Sequence, residues 1–168
     1  MRWVKDSLVA KARANPTLAA WCGTDTLGKV RFYFQPAPSD NDMFADPKSV
    51  GTVANPLRYM TFEFIGSPPP DWDWNNNRDS EYTIQVNSID KSDGSPNNCL
   101  AGLAVFAAIF EPAAAGQLDG LITNPEPAFN FHCRAVLADG DPRQPERDED
   151  GVWISSQDWR VLIERSAA

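Results

Sequence analysis

The sequence predicts an α+β domain: a mostly antiparallel sheet of about five strands, two helices packed on one of its faces, and long loops between the strands. Three observations lead there. Strand-like runs with apolar residues at every second position recur along the chain, and two segments with helical periodicity interrupt them. The 14 prolines stand mostly outside these periodic segments, marking long, shaped connections. No internal repeat is visible, and the length favours one domain spanning residues 1–168.

Trp3 to Ala14 reads as the first helix, because Val4, Leu8 and Ala12 recur every fourth residue while Lys5 and Lys11 stand off that stripe. Asn15-Pro16 then restarts the helix. Asn is a good N-cap, Pro suits the first helical position and Gly23 suits the stop, so Pro16 to Cys22 forms a short second turn. Val30 to Gln35 alternates as a strand, with Val30, Phe32 and Phe34 facing the core and Arg31 and Gln35 away from it. Arg58 to Ile65 repeats the pattern, with Met60, Phe62 and Phe64 inward and Thr61 and Glu63 outward. In Glu81 to Ser88, Tyr82, Ile84 and Val86 share one face.

Pro96 to Phe110 is the second helix, with Leu100, Leu103, Ala107 and Phe110 as its apolar stripe and Pro112 as its stop. Its small residues, Ala101, Gly102, Ala104 and Ala108, let it lie close to whatever it covers. Two strands close the chain. Phe129 to Leu137 points Phe129, Phe131, Cys133, Ala135 and Leu137 inward, and Trp153 to Glu164 points Trp159, Val161 and Ile163 inward. Three loops are long: Pro36 to Pro56 (21 residues), Gly66 to Ser80 (15) and Asp139 to Gly151 (13). Loops of this length are uncommon in small domains unless they have a function.

A formal charge of −8 repels phosphates, which excludes a free-standing DNA-binding role. Cys22, Cys99 and Cys133 are odd in number and unclustered, so they form no disulfide framework and suit a reducing compartment. The first residues lack the apolar run of a signal peptide, and the longest apolar stretch, Leu100 to Phe110, is about half of what a bilayer requires. A soluble protein, cytosolic when made, is expected.

The search for chemistry returns little. There is no Gly-x-Ser-x-Gly, no phosphate-cradling Gly-rich loop and no Gly-x-Gly-x-x-Gly, so no enzyme and no cofactor are expected. His132 and Cys133 are adjacent on a strand and point to opposite faces, which argues against a shared metal. Cys133 belongs in the core, His132 on the surface or at a subunit contact. The acids Asp139, Asp141, Asp148, Glu149 and Asp150 do not follow calcium-loop spacing, and Arg143 and Arg147 stand among them; a solvated hairpin tip is the reading. Two loop motifs are candidate contacts with a neighbouring subunit or another partner. Asp71-Trp72-Asp73-Trp74 carries two tryptophans, which either dock on a partner or fold back onto their own sheet. Met43-Phe44 is apolar in a polar loop and needs cover from a partner or from the domain.

In order and spacing these pieces resemble the tail-completion family of long-tailed bacteriophages, which includes head-to-tail joining proteins and tail terminators. The resemblance rests on Leu18-Ala19-Ala20-Trp21 ending the first helical region and on Val30-Arg31-Phe32-Tyr33 leading to Pro36-Ala37-Pro38. It continues through Pro56-Leu57-Arg58-Tyr59-Met60-Thr61-Phe62, Glu81 to Val86 and the alanine-rich Ala101 to Phe110. It closes with Asp148-Glu149-Asp150 and Trp159 to Ile163. The loops Pro36 to Pro56 and Gly66 to Ser80 are longer than that family's minimum.

The resemblance implies a virion structural protein of the neck: a ring-forming subunit, usually sixfold, that caps the finished tail tube and connects it to the head. It implies tail tube and neck or stopper proteins as partners, with DNA crossing the channel without specific binding and no membrane involved. The expected location is the head–tail junction, after assembly in the host cytoplasm. An acidic ring suits a DNA conduit, since it repels the phosphates passing through it. Two alternatives stand beside this. A stopper or adaptor from the same neck would show a small barrel of short strands. A monomeric small-ligand binding module would show a concave apolar pocket and remain a monomer.

Overall fold

The first helix, α1 (Arg2–Arg13), lays Trp3, Val4, Leu8 and Ala12 on the core, and α2 (Pro16–Cys22) follows at once. The Asn15 carboxamide accepts from the amides of Thr17 (2.9 Å) and Leu18 (3.0 Å), satisfying donors that a helix start leaves open. Gly23 ends α2 at φ 73°, a conformation that favours glycine. The computed structural model describes residues 2–48, 56–66, 78–92, 95–110, 115–122 and 129–167.

The remaining elements are β1 (Phe32–Phe34), α3 (Asp40–Met43), β2 (Arg58–Phe64), β3 (Arg78–Asp90), α4 (Asn97–Phe110), β4 (Phe129–Asp139), β5 (Glu146–Arg147) and β6 (Trp153–Ala167). The strands form one sheet in the order β1-β2-β3-β6-β4, with β5 paired to β6. The α+β class agrees with the sequence, but the sheet is mixed. β1 runs parallel to β2, with Phe32 opposite Met60, because a crossover containing α3 returns the chain to the end where β1 began. The other pairings are antiparallel, and β3 and β6 share an unbroken ladder from Arg78↔Arg165 to Asp90↔Trp153.

One face of the sheet is covered by α1, α2 and α4. The core between them holds Phe32, Met60, Phe62, Tyr82, Ile84, Val86, Trp159, Val161 and Ile163 from the strands and Leu8, Leu18, Leu103, Phe106 and Phe110 from the helices. Aromatic rings knit the layers: Phe32 stacks on Phe62 (5.2 Å between centroids) and on Phe106 (5.8 Å), and Phe106 meets Trp159 edge-on at 5.0 Å. At the head of α4 the buried Asp90 carboxylate accepts from the Ser92 amide and hydroxyl and from Asn98 Nδ2, fixing how the chain enters the helix.

Four expectations need correction. Arg31 does not point to solvent: it is 4% exposed, and its guanidinium donates from Nε to Met43 O (2.8 Å) and from Nη1 to Cys22 O (2.8 Å) and Pro56 O (2.5 Å). It ties α2, α3 and the entry to β2 together, and burial lowers its pKa. Thr61, expected outward, is also buried, beneath the polar side chains described below. In β4 a bulge between Cys133 and Ala135 turns the alternation over, so Val136 enters the core in place of Ala135 and Leu137. Finally, the long loops are partly structured: α3 lies in the first, the second ends three residues early at the start of β3, and the third contains β5.

Candidate functional site

On the second face α3 and Phe44 cover the β1 end, over Tyr33 and Tyr59, and beyond them the side chains of β2, β3 and β6 form a largely polar surface. Along β6, Ile154, Ser156, Asp158, Arg160, Leu162 and Glu164 are half-buried while their alternates are buried on the core side. Register sets rows across the strands. In one, Gln35 Nε2 donates to Thr61 Oγ1 (3.2 Å) and Ser156 Oγ donates to Asn87 Oδ1 (2.8 Å), with Thr61 opposite Asn87 and Asn87 opposite Ser156. In the next, Gln85 Nε2 donates to Asp158 Oδ1 (3.2 Å), and Arg143 Nη2 donates to Asp158 Oδ2 (2.8 Å). Arg160 lies between Glu81 (3.8 Å) and Asp139 (3.9 Å), and Arg134 lies 3.3 Å from Glu164. Such half-exposed pairs contribute at most about 1 kcal/mol each. What they determine is the character of the face: half-exposed and built of both charge signs.

The two edges differ. At β1 the outer edge is capped, with Arg13 Nε donating to Phe32 O (3.1 Å) and Thr24 bridging to Val30. At β4 a turn spanning 115–122 covers one position: Gly116 N donates to Cys133 O (2.6 Å), and Cys133 N donates to Asp119 Oδ1 (2.8 Å). The other oxygen of Asp119 meets His132 Nδ1, which places His132 on the surface. By ladder alternation Val136 and Ala138 turn their backbone groups to the same edge, where no partner stands among the described residues.

From Asp139 the chain runs back along β6, where β5 joins the sheet, and turns between Asp148 and Gly151 into Trp153. This hairpin is held at several points: Arg143 N donates to Ser156 O (2.8 Å), Ser155 Oγ to Arg143 O (2.6 Å), and Asp148 N to Val152 O (2.9 Å). Arg147 donates to Gly151 O and lies over the Trp153 ring. Asp141, Glu146, Glu149 and Asp150 remain exposed.

Of the candidate contact residues, Met43 and Phe44 are each 1% exposed. They pack with Tyr33 and Leu57 in a satellite core, where Phe44 meets Tyr59 edge-on (6.2 Å) and lies under the Arg31 guanidinium (4.5 Å). The domain itself supplies their cover, which removes them from the surface. Asp71, Trp72, Asp73 and Trp74 lie outside the described residues. Cys22, Cys99 and Cys133 are free and buried, and burial pushes each thiol up to about 11. Among the described residues no group of three or more His, Cys, Asp or Glu could hold a metal, and no helix is long and apolar enough to cross a membrane.

The largely polar face, the partly open β4 edge and the acidic turn from Asp148 to Gly151 are the surface features the described residues offer. No protein-family model matches the chain, and no curated protein matches it. A solved structure does. It is a chain from the virion of a native gene transfer agent particle, aligned over 96% of this chain and 94% of that one, with a TM-score of 0.57 and 13% identity. The fold is shared with a virion chain. At that identity the likeness establishes the fold and leaves the role to be argued.

Proposed function

We propose that this chain is a structural subunit of a tailed, phage-like particle, and within it a tail-completion or tail-terminator subunit. In this reading six copies form a ring at the head–tail junction, capping the finished tail tube and joining it to a neck or stopper protein. The observation that carries the virion role is the near end-to-end likeness to the gene transfer agent chain, 96% and 94% of the two lengths. The likeness spans nearly all of both chains, so it concerns the whole domain rather than a part of it. The sequence order that resembles tail-completion proteins supports the finer assignment.

The surface chemistry fits a conduit. The net charge of −8 and the half-exposed, mixed-charge sheet face give passing DNA no continuous basic track to bind. We assign the chain no catalysis and no cofactor, a reading supported by the three thiols being buried and held well above neutral pH in their ionisation.

Inactivating the gene in the particle that encodes it, followed by electron microscopy, tests the assignment. Filled heads beside separate, overlong tails are the expected result. Intact, infectious particles with tails of normal length would sink it.

A further inference from the structure

Charge is unevenly placed on this acidic chain. Helix α1 holds Arg2, Lys5, Lys11 and Arg13 against a single acid, Asp6. Asp6 is shared between Arg2 (3.5 Å) and Lys5 (3.7 Å), and the Arg2 side chain is 79% exposed. The opposite sign prevails on the hairpin, where Asp141, Glu146, Asp148, Glu149 and Asp150 outnumber Arg143 and Arg147. The two patches cannot meet within one molecule. The first turn of α1 stacks Trp3 on Phe131, which pairs with Arg165, whereas β5 in the hairpin pairs with Trp153 and Ile154. Eleven residues of β6 separate those positions, roughly 35 Å at strand spacing.

We infer that the acidic hairpin of one copy docks on Arg2 and Lys5 at the start of α1 of the next copy; Lys11 and Arg13 are half-buried and engaged with Phe110, Tyr33 and Phe32 O. Charge complementarity selects this pairing of surfaces over hairpin against hairpin or α1 against α1, which sets like charges together. The same pairing serves a two-fold dimer, in which each hairpin meets the other copy's α1, or a head-to-tail contact that closes into a ring; the ring of the proposed function uses the second. The hairpin is already ordered by its own hydrogen bonds, so docking it costs little conformational freedom. The inference rests on the ring part of the proposed function and adds to it which surfaces meet.

The test uses charge reversal and sedimentation velocity on the full chain at 50 and 500 mM salt over a range of concentrations. Wild type should self-associate, less at high salt. Arg2→Glu with Lys5→Glu should weaken association at least about tenfold, and so should Glu149→Lys with Asp150→Lys. Acids in a first helical turn favour the helix, and Glu149 and Asp150 are exposed in a turn, so circular dichroism and thermal midpoint should be unchanged. Combining all four reversals should restore association. Wild type that stays monomeric at every concentration, reversals that leave association intact, or a combined variant that fails to regain it would each overturn the inference. Failure of the tail-terminator reading is scored separately, by gene inactivation that leaves particles intact.

Discussion

Replacing Gly102 by alanine sets two effects of opposite sign against each other. Gly102 lies in the interior of α4, where alanine is favoured over glycine by about 0.5–1 kcal/mol on backbone grounds. A Cβ there would stand 2.5 and 2.8 Å from Trp21 Cζ2 and Cη2, and against Ser88 Oγ. The serine hydroxyl is able to rotate away. The indole is not: it is 8% exposed, its Nε1 donates to Asn98 O at 3.2 Å, and Arg58 lies over it at 5.6 Å. Carbon atoms pack at about 3.5–4.0 Å, so ring and helix must part by about an ångström. Overpacking of this kind costs about 1–3 kcal/mol. Net of the backbone gain, the variant should lose about 1–2 kcal/mol, or about 2–8 °C in Tm for a chain of this length. Urea denaturation followed by tryptophan fluorescence measures it, with Ala101→Gly, exposed on the same helix, as a control losing about 0.5–1 kcal/mol. A Gly102→Ala variant as stable as wild type, or more so, would refute the close approach of α4 to α2 and β3.

Other perturbations test the remaining joints. Arg31→Met leaves the carbonyls of Cys22, Met43 and Pro56 without their donor and should cost about 2–5 kcal/mol in urea, with Arg31→Lys recovering only part; a loss under about 1 kcal/mol would contradict the clamp. Phe44→Ala should cost about 3–5 kcal/mol, and a fully stable variant would return Phe44 to the surface. Asp119→Ala should free the turn from β4 and speed hydrogen exchange of the Cys133 amide at least about tenfold, while an amide equally protected would show that another group holds it. Each thiol is raised from 9.0 to about 11, so the fold favours the neutral form. That contribution is fully present below pH 9.0 and lost as pH climbs towards about 11, with Tyr33 and Tyr59, also raised by burial, acting in the same direction. The urea midpoint should fall across that window, and native protein at pH 8 should resist a thiol reagent that labels all three cysteines once unfolded; rapid labelling of the folded chain would contradict their burial.

Periodicity reveals which side of a strand is greasy, and that is why Met60 and Phe62, Tyr82, Ile84 and Val86, and Trp159, Val161 and Ile163 were legible as the core. It carries no information on strand direction, so the parallel pairing of β1 with β2 was hidden in the crossover between them. Alternation also assumes an unbroken ladder. One extra residue at the β4 bulge was enough to move the apolar set from Ala135 and Leu137 to Val136. Arg31 was misplaced because charge predicts exposure until enough carbonyl oxygens converge to satisfy five donors, and Cys22, Met43 and Pro56 converge only in three dimensions. The same convergence gave Phe44 a cover that no local pattern announces. Among candidate surface features, the acids of the 139–151 hairpin were visible as a solvated tip, whereas their distance from the start of α1 needed the register of β6.

The central place of β6 has a consequence for synthesis. The strand that bridges β3 and β4 is the one the ribosome makes after all the others, so neither neighbour has its hydrogen-bonding partner until residues from Trp153 onward have emerged. A chain arrested before that point carries α1, α2 and α4 over a β1–β2–β3 fragment in which the second edge of β3 is bare along thirteen residues, and a β4 with no sheet to join. Such bare strands recruit one another. Incomplete translation products should therefore partition into aggregates rather than remain in solution.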